Sequence, residues 1–257
     1  MRLPWEPESA KRAELAMTAL RQLLLQRVVR SGSQTLLVAA GALVGFAAQN
    51  AALEQGELLT QRRDLVAPES LMLRQAADGK RYLLGRWINA PLLLGYGHAF
   101  PLQRVVVQAA AAAGVTRDKF PDFWELERTI AKAAAEADFG GLAAGPGREP
   151  VAKPQDVLKA IWPAVRRLLI APMPMEHEDE PPLNEAHWPM LLAIVAGRLQ
   201  AQASTAMDPA VAAAMVMEAA IIASKLHPDL VEPGRWKVGP GPRGLQIIRD
   251  DRQRKIA

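Results

Sequence analysis

Thr35–Leu53, TLLVAAGALVGFAAQNAAL, carries no formal charge across its 19 residues, and the rest of the chain is polar enough to pack around it. An uncharged stretch of this length is either a core helix or a membrane span, since about 18 or more consecutive apolar residues are the usual signal for crossing a bilayer. The GxxxG pair Gly41 and Gly45 suits helix contact in lipid. Against a span, Gln49 and Asn50 stand side by side near one end, alanine and glycine outnumber leucine, and the helical pattern continues through Glu54 to Glu57. A buried central helix is therefore the expectation, with membrane association through residues 35–53 as the lesser alternative. At helical spacing Gly41, Gly45, Ala48 and Ala52 form a seam of small side chains that lets a second backbone approach closely.

The chain of 257 residues is half hydrophobic, ample for a core, and excludes a disordered protein. It has no cysteine, so thiolate chemistry and disulfides are excluded, which suits a reducing compartment. Pro4, Glu6, Pro7 and Glu8 stand where an export signal needs an apolar run, so the expected location is cytoplasmic. The net charge of +4 resides wholly in residues 225–257, and the first 224 residues are neutral. A nucleic-acid surface is not expected from so modest a tail.

Around the central helix, apolar residues at Ala13, Met17, Leu20, Leu24 and Val28 mark an amphipathic first helix, and Ser31-Gly32-Ser33 turns the chain. Residues 71–87 carry the convincing β signal, two short runs about Asp78-Gly79, a dipeptide suited to a tight turn. Asn89-Ala90-Pro91 stops the second strand, and a helix is expected to start near Pro91.

The runs LVGFAAQNAALE, ADGKRYLLGRWINAPLL, HWPMLLAIVAG and MDPAVAAAMVMEAAIIASK resemble a group of uncharacterised proteobacterial proteins, a domain of unknown function. The resemblance spans most of the chain. It implies a mostly helical bacterial protein with a central hairpin and implies no activity. In that group an acidic residue often follows the hairpin glycine, where this chain has Arg86.

Further helices are expected over Pro101–Ala113, Pro121–Asp138, from Pro154 with a kink at Pro163, from an Asn184 cap, and over Ala210–Leu226 behind Asp208-Pro209. Gly140–Pro154 reads as a linker and Ala171–Pro182 as an acidic, proline-rich loop. The expected architecture is mainly α, an antiparallel bundle of about seven to eight helices with one central β-hairpin. Residues 1–140 and 150–230 pack together, and 231–257 form a basic, partly flexible tail with one short strand at 245–248.

Catalytic spacing is absent. His98, His177, His187 and His227 fall on separate elements with no HxxxH or HExxH, so no metal and no cofactor is expected. The glycine pairs lack a following Lys-Ser/Thr, and no serine sits in GxSxG. Two readings remain. In the first, the protein is a non-enzymatic helical interaction or structural protein, self-associating as a homodimer. In the second, it binds a small molecule in an apolar pocket, with Gln49, Asn50 and Glu218 as the polar groups that fix the ligand. Glu218 stands out because Met215, Met217, Ile221 and Ile222 surround it on a helix without another charge until Lys225.

Overall fold

The computed structural model describes residues 7–62, 66–76, 79–98, 100–134, 139–143, 152–170, 183–241 and 244–250. Asp78 of the hairpin turn, most of the Gly140–Pro154 segment, the acidic loop with His177, and residues 251–257 lie outside them. Among the described residues eight helices run in order: α1 (Pro7–Val28), α2 (Ser33–Gln61), α3 (Arg86–Asn89), α4 (Leu102–Ala112), α5 (Phe123–Ala133), α6 (Pro154–Ile170), α7 (Trp188–Ala203) and α8 (Pro209–Lys225). Two antiparallel strand pairs accompany them, β1 (Met72–Gln75) with β2 (Arg81–Leu84) and β3 (Trp236–Gly241) with β4 (Gly244–Arg249). The fold is mainly α, as the residue pattern requires.

The central stretch is a core helix. α2 is long and apolar enough to cross a membrane, yet 94% of its most apolar window is buried inside the protein. α1, α6, α7 and α8 pack around it, so the main core draws on both sides of the Gly140–Pro154 segment through Leu20, Leu43, Trp162, Leu191 and Val216. The small seam faces α8. A Cβ added at Gly41 would stand 2.2 Å from the Val216 carbonyl oxygen, and Gly45 meets Ala220 in the same way. Partners rise together along both helices, so α2 and α8 run parallel with backbones in contact. Only a residue without a side chain allows that approach.

Polar punctuation sets the helix starts. Asp208 accepts hydrogen bonds from the Ala210 and Val211 amides ahead of α8, and Asp122 does the same for Trp124 and Glu125 ahead of α5. Asn184 accepts from the Ala186 amide and opens a short 3₁₀ turn at Glu185–His187 that leads into α7. α6 continues through Pro163.

Two expectations need correction. No helix starts at Pro91. β2 ends at Leu84, Gly85 takes φ +138° so that its backbone can lie against Ser70, and the chain makes only the short α3 before a series of turns. Gly95 at φ +101° cannot continue a right-handed helix, and the next helix waits until Leu102. Nor is the strand expected at 245–248 alone: in the stretch read as a basic, partly flexible tail, the described residues form the strand pair β3 and β4. Trp236, Val238 and Ile247 of the second hairpin bury themselves with Ala52, Leu53, Leu71, Leu83 and Ile88 in a second core. That core joins the C-terminal third of α2 to both hairpins, with Ile247 seated over Gly56. A two-stranded sheet is marginal alone, and burial of these side chains is what holds each pair.

Candidate functional site

Gln49 and Asn50 are fully buried side by side on α2, and each serves a different neighbour. Gln49 Nε2 donates to the carbonyl of Ser224 at 2.9 Å and to that of Leu226. These oxygens belong to the end of α8, where helix carbonyls lack intrahelical donors, so Gln49 caps that helix. Its Oε1 has no hydrogen-bond partner among the described residues. Asn50 Nδ2 donates to Phe46 O one turn back at 2.9 Å. Its Oδ1 accepts from Arg235 Nη1 at 3.1 Å and from Trp236 Nε1 at 3.0 Å.

Arg235 is the centre of a buried ionic network, 1% exposed. Its Nη2 donates to both oxygens of Glu185 at 2.7 and 2.6 Å, and its Nη1 donates to Glu232 at 2.7 Å. Arg249, from β4, stands 3.4 Å from Glu185, 3.5 Å from Glu54 and 3.6 Å from Glu57, while its amide donates to Glu57 Oε1 at 3.0 Å. Arg166 Nε lies 2.9 Å from Glu232 Oε1, close enough to pair but too far off line to donate. The guanidinium groups of Arg235, just before β3, and of Arg249 on β4 lie over the Trp236 ring, at 5.4 Å and 4.6 Å. Four elements are thereby tied together: α2, α6, the 3₁₀ turn before α7, and the second hairpin. The desolvation of such charges offsets much of their mutual attraction, so their presence is weak evidence of added stability.

The network holds four carboxylates (Glu54, Glu57, Glu185, Glu232) against three guanidinium groups. Glu54 carries the surplus. Its carboxylate makes no hydrogen bond among the described residues, and burial, reinforced by the charge of Glu185, pushes its pKa above the ordinary 4.5, with Arg249 and Arg235 opposing.

Lys225 closes a second polar cluster. Its ammonium is fully buried, donating to Glu127 at 2.7 Å and to Asn89 Oδ1 at 3.4 Å, while Asn89 Nδ2 donates to the same Glu127 oxygen at 3.1 Å. Burial pushes the lysine pKa below its ordinary value, and the Glu127 charge opposes that shift. Next to it, His227 caps a 3₁₀ turn by accepting the Asp229 amide at Nδ1, 3.3 Å away, with Asp229 Oδ2 3.5 Å from the same nitrogen. Burial, and then the charge of Arg81, lower its pKa.

Glu218 is turned toward the chain rather than toward space. Its Oε1 accepts the Ala143 amide at 2.6 Å. Of the three residues singled out in the sequence, Gln49 thus holds the end of α8, Asn50 joins the Arg235 network, and Glu218 anchors the segment after α5. They take separate partners, and none of them lines the three surface grooves described next.

One groove, about 600 Å³, runs between the hairpins and is walled by Val66, Leu71, Met72, Leu73, Pro240 and Leu245. A more polar one beside it, about 460 Å³, holds Arg81 and Asp229. The third, about 420 Å³, follows α2 past Glu54 and Leu58 to Trp87 and His98. Among the described residues no three His, Asp or Glu side chains are gathered to hold a metal. The sequence missed Arg235 and Lys225 as buried groups and the half-buried Arg249 and Glu185 as their neighbours in polar clusters. The adjacent Arg235-Trp236 and the pair Glu54 and Glu57 on an apolar helix were the available signals. No family model, curated protein or solved structure matches the chain.

Proposed function

We propose that the protein is a non-enzymatic helical interaction protein that self-associates as a dimer through the face where β1 borders the groove between the hairpins. The observation that carries this reading is an apolar groove beside a strand edge that has no strand partner among the described residues. The Ala76 amide bonds to Lys80, so residues 74 and 72 share the bonded register with β2, and Leu73 and Gln75 direct their amides and carbonyls outward. Such an edge recruits another strand. A second copy of the chain is the occupant it suits. Antiparallel pairing about a two-fold axis at Leu73 sets Leu73 against Leu73 and Met72 against Arg74, which avoids opposing like charges. Met72, 40% exposed, is then covered.

The small-molecule reading built on Gln49, Asn50 and Glu218 has less support, because all three spend hydrogen bonds on the protein itself. Membrane association through residues 35–53 also has less, because the apolar surface of α2 is already covered. Sedimentation of the wild type and of Met72→Lys tests the dimer. The wild type is expected to sediment as a dimer and the variant as a monomer of unchanged melting temperature. A monomeric wild type, or a variant that dimerises equally well, contradicts the proposal.

A further inference from the structure

We propose that the groove along the C-terminal half of α2 binds an organic cation, an ammonium or guanidinium group on an apolar body, with Glu54 as the counter-charge. Its volume of about 420 Å³ falls within the range of small-molecule sites, about 300–1,000 Å³. Three features select the ligand. The first is charge. Glu54 is the carboxylate left over when three guanidinium groups face four glutamates, its nearest cation is Arg249 at 3.5 Å, and among the described residues it accepts no hydrogen bond. A half-buried carboxylate whose one ion-pair contact is long, at 3.5 Å, gains more from a charged donor than a fully solvated one does.

The second feature is the wall. Ala51, Leu58, Trp87 and Pro91 line the groove, and Leu58 is 51% exposed. A ligand with an apolar body covers it, and Trp87 adds an aromatic side chain to the same lining. The third is that the groove's own lining adds no cation: Glu54 is its one formally charged residue among those described, and Arg249, 3.5 Å from Glu54, approaches from outside the lining. His98, on the opposite side, accepts the Phe100 amide at Nδ1, and burial holds its pKa below the ordinary value, so the ring is neutral and does not repel a cation.

Calorimetric titration of the full chain with n-hexylammonium, with 1-hexanol as its neutral counterpart, tests the site. The ammonium is expected to bind saturably and the alcohol not at all. Glu54→Gln is expected to weaken the ammonium by about tenfold or more, as loss of a charge-assisted contact requires. Ala51→Leu fills the groove, leaves the carboxylate in place, and is expected to abolish binding. Because Ala51→Leu and the alcohol do not touch the ion network, they decide the matter even if Glu54→Gln fails to fold. Equal binding of alcohol and ammonium, undiminished binding by either variant, or no saturable binding of n-hexylammonium to the wild type overturns the proposal.

Discussion

Gly45 and the Ala220 carbonyl oxygen are so close that a β-carbon built on Gly45 would stand 2.0 Å from that oxygen. The obstacle is backbone in the middle of a core helix, so no side chain can rotate away to make room. Gly45→Ala must therefore push α2 and α8 apart over the contact where both are most buried. Overpacking a core costs typically about 1–3 kcal/mol, and this position belongs at the upper end. Urea denaturation of the variant is expected to show that loss, with Gly45→Leu losing more. An unchanged midpoint for either would mean that the helices do not cross here.

How legible this was depends on how local the signal is. The seam of Gly41 and Gly45 announces a close crossing within four residues, and Asp208-Pro209 announces a helix start within two, so both could be read directly. The partner of the seam could not, because α8 lies some 175 residues away. The second hairpin was hidden for a related reason: its apolar residues alternate as Trp236, Val238 and then Leu245, Ile247, with a glycine- and proline-rich stretch of sequence diluting the pattern between them. Arg235 and Arg249 consequently looked like solvated tail charges, whereas Arg235 pairs with the distant Glu185 and the nearby Glu232, and Arg249 stands within 3.6 Å of Glu185, Glu54 and Glu57. Gln49 and Asn50 were conspicuous because amides on an apolar helix must find partners, but nothing local says that those partners are α8 and the second hairpin.

Arg235→Met tests whether the ionic network is a structural joint. The substitution roughly preserves volume but strands Glu185 and Glu232, both of which are nearly buried. Removing one partner of a buried pair costs about 3–5 kcal/mol, and thermal unfolding is expected to report a loss of that order. Adding Glu185→Leu removes one stranded charge and is expected to recover part of the loss. A single variant that melts with the wild type would show that the network contributes little more than exposed pairs do.

His227 gives the protein a specific acid sensitivity. Burial and Arg81 depress its folded pKa below the ordinary 6.5, with Asp229 opposing, so below that pH the unfolded chain binds a proton that the folded chain resists. The stability it contributes is complete above about pH 6.5 and is lost as pH falls through the lowered folded value. His227→Asn keeps an acceptor for the Asp229 amide, since asparagine is a strong capping residue, and removes the titration. Its melting temperature is expected to fall less steeply than the wild type between neutral and mildly acidic pH. Parallel curves would assign the acid sensitivity elsewhere, His98 being the next candidate because burial lowers its pKa also.

Glu127→Gln should behave unlike an ordinary broken ion pair. Lys225 loses its only ionic partner among the described residues, and a fully buried ammonium left alone is costly. Lysine, unlike arginine, can escape that cost by releasing its proton, and burial already pulls its pKa below the ordinary 10.5 while the Glu127 charge holds it up. Without that charge the folded pKa drops further. Between the folded value and 10.5 the unfolded chain binds more protons than the folded one, so stability rises with pH across this window, and the window is wider in the variant. The expected result is a loss at neutral pH smaller than the about 3–5 kcal/mol of a stranded permanent charge, shrinking toward the wild type as the solution becomes alkaline. Denaturant midpoints of both proteins across neutral to alkaline pH measure it. A difference that stays constant over that range would show that Lys225 keeps its proton without Glu127, and that Asn89 alone suffices to hold the charge.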